Sequence, residues 1–247
     1  MTETDPHDTP RIRLHNFCVT YESFALGPLT LDFAPGERVA FVGANGAGKS
    51  TTFRALAGRL GEYEGAILLD GKELLSQLPL ARRRIGLLPE ALDGYGWMTV
   101  REHLSFIRGF YPEWDDDYAD RLVSRLGIPL DEKLGGLSKG SKVKVSFVAA
   151  EAYRPPVLLL DEPTSGLDPH VRGELIDAIL AASAEQSDRV VLFSTHLLED
   201  VERLAQRVVL LDNGTLMMDS TTRELRESHR GASLTNILYA ALSHAKF

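Results

Sequence analysis

Gly43-Ala44-Asn45-Gly46-Ala47-Gly48-Lys49-Ser50 follows the pattern G-x-x-x-x-G-K-[ST] of a phosphate-binding loop. The run before it, Arg38-Val39-Ala40-Phe41-Val42, is short, apolar and β-branched, and reads as a buried strand. The run after it, Ser50 to Ala57, continues as a helix that Gly58 stops. Strand, loop and helix are the context the pattern needs. Glycines let the backbone curl close to an anion with no Cβ in the way. The curled N–H groups and the positive end of the helix then face phosphates. Lys49 adds a full positive charge toward the β/γ-phosphates, and Ser50 offers a hydroxyl to Mg²⁺. An ordinary glycine-rich turn has no need of Lys-Ser at this point.

Composition narrows the class. The chain has 247 residues and a formal net charge of −8. That length suits one large domain with a sub-domain and a substantial core. A negative balance argues against nucleic-acid binding, which usually shows a basic surface. The single cysteine, Cys18, excludes an internal disulfide, and between Phe17 and Val19 it reads as a packed strand residue. Residues 1–10 are polar and acidic, with Pro6 and Pro10. They read as a disordered tail without a signal-peptide pattern. No apolar stretch approaches the ~20 residues that span a bilayer, so work on a membrane would need another chain.

Outward from the loop, the pattern is α/β. Strands are expected from Ile12 to Tyr21, at Leu29–Phe33, at Ala66–Leu69 before an Asp70-Gly71 turn, and at Ile85–Leu88. Between Ala91 and Pro155 the character becomes helical. Thr99 and Glu102 form a capping box, and Gly127 and Pro129 stop a second helix. Strands return at Val157–Asp161, Val190–Phe193 and Arg207–Asp212. A helix from about Asp168 to Ala184 begins with Pro169, and Asn213-Gly214 turns a hairpin. A last amphipathic helix is expected over Ser233–Ser243.

Further chemistry sits at the ends of these elements. Asp161 and Glu162 close a buried strand, at the edge where open α/β sheets bind ligands. Asp161 suits Mg²⁺ coordination, and Glu162 suits positioning and activating an attacking water. Two acids before a turn also serve as caps; beside a phosphate loop the catalytic reading prevails. Leu137-Ser138-Lys139-Gly140-Ser141 opens a helix and forms a second anion site. Lys142 and Lys144 read as a solvated face. His196 ends another apolar strand and is a candidate for contact with a γ-phosphate or the attacking water. Tyr21, Phe24 and Tyr63 are rings that stack on a base, and their positions do not rank them.

Together these motifs resemble the ATP-binding subunits of ABC transporters over nearly the whole chain. The Walker A loop is Gly43 to Ser50, the signature Leu137 to Ser141, the Walker B end Asp161-Glu162, the D-loop Ser165 to Asp168, and the switch histidine His196. The resemblance implies a P-loop NTPase cassette over residues 11–247. An antiparallel β sub-domain and a helical sub-domain at about 91–155 complete it. It implies ATP and Mg²⁺ as ligands. Gly43, Asn45, Gly46, Ala47, Gly48, Lys49, Ser50 and Thr51 would cradle phosphates, and Tyr21, by its distance from the loop, would stack on the base. Ser138 and Gly140 would hold the γ-phosphate of a second, head-to-tail subunit. Lys49, Glu162 and His196 would be catalytic, and Ser50 and Asp161 would hold the metal.

Three positions depart from the family pattern. Glu90 stands where the family has a glutamine that reaches the metal, and is a candidate metal ligand that could instead pair with Arg82 or Arg83. The signature carries Lys139 and Ser141 in place of Gly and Gln. The S-K-G form, Trp114-Asp115 and the final helix resemble bacterial exporter-type (YtrB-like) subunits. The implied partner is a separate polytopic membrane protein, with the chain peripheral on the cytoplasmic face. Tyr95, Trp97 and Trp114 fall where such a partner docks. A soluble ABC ATPase acting elsewhere, or a nucleotide-gated module with little turnover, is the competing reading.

Overall fold

The computed structural model describes residues 11–91, 94–229 and 231–244. The expected disordered tail lies outside these. Strands β1 (Ile12–Tyr21) and β2 (Phe24–Phe33) form an antiparallel ribbon that leads into β3 (Arg38–Val42). The phosphate loop follows, then helix α1 (Lys49–Leu56), which ends at Ala57 before the left-handed Gly58. Strand β4 (Glu64–Leu69) returns to pair with β1. Asp70 and Gly71, both at positive φ, turn the chain into the short β5 (Lys72–Glu73). Helix α2 (Leu78–Arg84) then leads to β6 (Ile85–Leu88).

The helical part comprises α3 (Val100–Arg108), α4 (Asp116–Arg125) and α5 (Lys139–Glu151). Each begins at a capped start: the expected reciprocal Thr99–Glu102 capping box, the Ser138 cap at the expected helix opening, and an Asp115 cap that is not among the expectations. The α/β alternation resumes with β7 (Val157–Asp161), α6 (Pro169–Glu185), β8 (Val190–Thr195), α7 (Leu198–Leu204) and β9 (Arg207–Asp212). The hairpin partner β10 (Thr215–Thr221), α8 (Thr222–Ser228) and α9 (Leu234–His244) complete the described chain.

Among the described residues there are two sheets. One is antiparallel with order β2-β1-β4-β5; the other has order β10-β9-β3-β8-β7-β6 and is parallel except for β10. The parallel strands read as unbroken apolar runs because both faces are buried. Alternation divides each strand between two cores. Val39, Phe41, Val157, Leu159, Val190 and Leu192 join α1 and the antiparallel sheet. Ala40, Val42, Leu158, Leu160, Val191 and Phe193 join the helices of the opposite face. The six-stranded sheet is thus the middle layer. Its order puts the carboxyl ends of β3, β8 and β7 side by side, so the phosphate loop, His196 and the Asp161-Glu162 pair sit on adjacent ends.

Two details differ from the expectations. Lys144 is not a solvated charge: it pairs with Glu174 at 2.7 Å and donates to the Leu126 carbonyl at 2.9 Å, tying α5 to α6 and to the end of α4. The Lys144 ion pair also holds the Glu174 carboxyl below its usual range. Cys18 is half-buried on β1 rather than packed in the core.

Candidate functional site

The loop after β3 keeps the shape its glycines require. Gly46 and Gly48 sit at φ +83° and +106°, a region that L side chains rarely adopt. A Cβ on Gly48 would also approach within 2.6 Å of the Leu26 side chain. Gly48 precedes α1 without a side-chain cap, and the first turn of α1 has no acid, so its positive end is left for an anion. Lys49 is only 5 % exposed. Its ammonium donates to the Gly43 and Ala44 carbonyls at 2.8 and 3.1 Å and lies 3.5 Å from Glu162 Oε1. A buried ammonium survives only with such partners.

Glu162 leaves β7 at φ +50°, a left-handed conformation uncommon for this residue type. Its N–H donates to Ser194 Oγ at 2.8 Å, and Ser194 Oγ in turn donates to Asp161 Oδ1 at 2.6 Å. Ser50 Oγ donates to the same Asp161 oxygen at 3.2 Å. The other end of the Glu162 side chain meets His196, with Oε2 2.8 Å from Nδ1. A carboxylate accepts, so Nδ1 donates and Nε2 is left for a further partner. One carboxylate therefore lies between an ammonium and an imidazole, and the other is tied to the hydroxyl that begins α1.

These groups open into a cleft of about 750 Å³. Its lining includes Asn45, Gly46, Gly48, Lys49, Ser50, Thr51, Glu162 and His196, together with Tyr21, Phe24 and Glu90. The structure thus gathers every expected residue of the intrachain site, with Gly43 and Ala47 buried in the loop backbone and Asp161 just beneath. Glu90 lies at the cleft, while its alternative partners are engaged elsewhere. Arg83 pairs with Glu113, and Arg82 donates to the Gly58 carbonyl at 3.2 Å. Tyr63 leaves the contest for the base: its ring packs on Phe17, 5.4 Å between centroids. Tyr21, 43 % exposed, and Phe24 both face the cleft. Ser138 and Gly140 are not part of its lining. Ser138 caps α5 and accepts from Ser141 N at 3.1 Å.

The sequence reading missed Arg54 and Ser194. Arg54 lies one helical turn after Ser50, so the i, i+4 spacing pointed to it. Ser194 is fully buried at the end of an apolar strand, where a hydroxyl needs a partner.

Residues 26–165 match the family model described as ABC transporter. The chain belongs to the ABC transporter ATP-binding family. Among curated relatives of this ABC subunit, the ABC transporter ATP-binding protein YtrB of Bacillus subtilis is 33 % identical over 204 residues, 83 % of this chain and 69 % of that protein. The Nod factor export ATP-binding protein I of Burkholderia thailandensis is 33 % identical over 218 residues, 85 % of this chain and 70 % of that one. A solved ATP-binding subunit of an ABC transporter superposes with a TM-score of 0.83 at 30 % identity, covering 93 % of this chain and 98 % of that one. The ABC subunit is accordingly an ATPase that drives a membrane transporter. Among its described residues, no helix is long and apolar enough to cross a membrane.

Proposed function

We propose that this chain binds ATP and Mg²⁺ in the cleft above β3, β7 and β8, and that Lys49, Glu162 and His196 carry out hydrolysis. The observation that carries the reading is the Glu162 carboxylate, held between Lys49 and His196 at the mouth of a phosphate loop. Glu162 accepts the proton of the water that attacks the γ-phosphorus, and ADP leaves in line. Lys49 balances charge on the phosphates, and His196 holds the carboxylate in its orientation. Ser50 and Asp161, hard oxygen donors already in contact, are fit to hold Mg²⁺, which when bound neutralises charge on the phosphate oxygens. Glu90 at the cleft edge is the added oxygen ligand.

The site is completed in trans. Ser138 and Gly140 stand outside this chain's own cleft at an exposed helix start, which supports a head-to-tail pair with a second ATPase subunit, identical or not. The partner of the pair is a separate polytopic membrane protein, and the chain sits peripherally on the cytoplasmic face. Support comes from a ladder of exposed rings, Trp97–Tyr95–Phe106–Phe110, with successive centroids 5.2 to 6.4 Å apart. Contiguous exposed aromatics mark an interface. Trp114, by contrast, packs against the core. Outward transport is the direction we favour, on the export function in the name of one relative.

Glu162→Gln tests the reading. ATP binding should persist, turnover should fall by roughly a hundredfold or more, and Mg-ATP should drive dimerisation. Phosphate release near the wild-type rate would remove Glu162 from its role. Unchanged mass in light scattering would remove the identical-subunit pair.

A further inference from the structure

Asp200 is buried, 1 % exposed, in the first turn of α7, four residues after His196. Its two oxygens go to different elements. Oδ2 accepts the hydroxyl of Thr164, two residues after Glu162, and Oδ1 accepts from Arg172 Nε on α6 at 2.7 Å. Arg172 also reaches Glu199 at 3.0 Å, which fixes the guanidinium. Thr164 is itself 1 % exposed, so its hydroxyl needs this acceptor.

The contact closes a ring. Glu162 and Thr164 belong to the turn after β7, His196 to the bend after β8 and Asp200 to the first turn of α7 that follows it. The solvent-side closure is the Glu162–His196 hydrogen bond; the buried closure is Thr164–Asp200. His196 is 45 % exposed at its side chain and has little packing of its own to hold the ring in place. The Glu162 backbone is in an uncommon conformation that its surroundings must maintain. The Thr164 backbone carbonyl accepts the Leu167 N–H at 3.3 Å, so the segment 165–168 is tied to the residue that the clamp holds.

We infer that Asp200 is a positioning residue for hydrolysis. It locks the turn carrying Glu162 and the segment 165–168 to the turn carrying His196, and so sets the Glu162–His196 hydrogen bond. This rests on the roles proposed for Glu162 and His196. Asp200 is buried, is not part of the cleft lining, and acts through His196.

The test uses the full chain with Thr164→Val, which removes the hydroxyl at constant shape, and Asp200→Asn, which keeps one acceptor oxygen instead of two. The ¹⁵N signal of His196 Nδ1 reports its hydrogen bond without any turnover. In both variants it should move toward its position in Glu162→Ala; an unmoved signal overturns the clamp. For hydrolysis, kcat should fall roughly tenfold to a hundredfold, with KM for ATP within about twofold. Thr164→Ser should exceed Thr164→Val in kcat by about fivefold. In a His196→Ala background, Asp200→Asn should cost nothing further; an equal loss in both backgrounds would mean a general structural role. Full turnover in Glu162→Gln would instead defeat the catalytic reading, while the Nδ1 signal still judges the clamp.

Discussion

The nucleotide cleft and the groove between β6 and the helical part are opposites in how their polar groups are satisfied. In the cleft, Lys49, Asp161, Glu162, Ser194 and His196 bond one another, so charge is arranged before any ligand arrives. The groove holds about 380 Å³ between Leu87 and Pro89 on one side and α3 and α5 on the other. There His103 Nε2 and Ser146 Oγ are buried with no hydrogen-bond partner among the described residues. The stacked pair Tyr111–Tyr153, 3.9 Å between centroids, lines it, and the exposed ring ladder extends from α3. A satisfied site is built to act on a small charged ligand. A groove with buried, unsatisfied polar atoms is built to be covered.

The sharpest break of this contrast is Lys49→Ala. It removes a buried cation and leaves Glu162 with one partner fewer. Truncating one side of a buried charge pair costs about 2–5 kcal/mol, so ATP affinity should fall by about a hundredfold, measured by calorimetry. Binding to the membrane partner without nucleotide should persist. Next come Tyr95→Ala and Trp97→Ala, whose rings are 56 % and 66 % exposed. Loss of an aromatic anchor costs about 2 kcal/mol, so copurification with the partner should weaken by about thirtyfold while ATP binding is unchanged. Unaltered copurification in both variants would move the docking surface elsewhere.

Glu90 sits between the two regions, after β6 and at the cleft, and a smaller effect is expected there. At about 4 Å and an effective dielectric of about 20, each unit-charge pair is worth roughly 4 kcal/mol. Attraction to a divalent ion therefore outweighs one repulsive contact with a phosphate. Glu90→Gln should need severalfold more Mg²⁺ for half-maximal ATPase rate, and Glu90→Ala should lose about tenfold in rate. Superimposable Mg²⁺ titrations of wild type and both variants would remove the metal role.

The smallest effect belongs to His103, 4 % exposed in the groove. Burial lowers its pKa below the ordinary imidazole value. The unfolded chain therefore takes up a proton first as pH falls below about 6.5, and stability declines from there by at most about 1.4 kcal/mol per pH unit. His103→Gln should flatten that part of a denaturation-against-pH series between about pH 7 and 5. An unchanged slope would assign the titration to another group.

Much of this was legible before folding. The phosphate loop, the Thr99, Ser138 and Asp168 caps and the Asp70-Gly71 and Asn213-Gly214 turns depend on neighbours within a few residues. Helix α2 was not legible: it opens with Pro79 near its start, ends in three arginines and buries only Ala81, so no apolar stripe marks it. Helix α8 carries a full Thr221–Glu224 capping box, but it is short and buries only Leu225.

By itself, then, the sequence marked most of the residues that line the cleft, because loop shape, strand ends and helix starts are set by local conformation. Only the tertiary structure decided their partners. Tyr21 rather than Tyr63 at the cleft, Ser194 beneath Asp161, Glu90 free of Arg83, and Asp200 clamped to Thr164 all join residues far apart in the chain. Such pairs exist because β3, β8 and β7 lie side by side in the sheet. Strand order is settled by burying both faces of the whole sheet at once, and no local stretch encodes it.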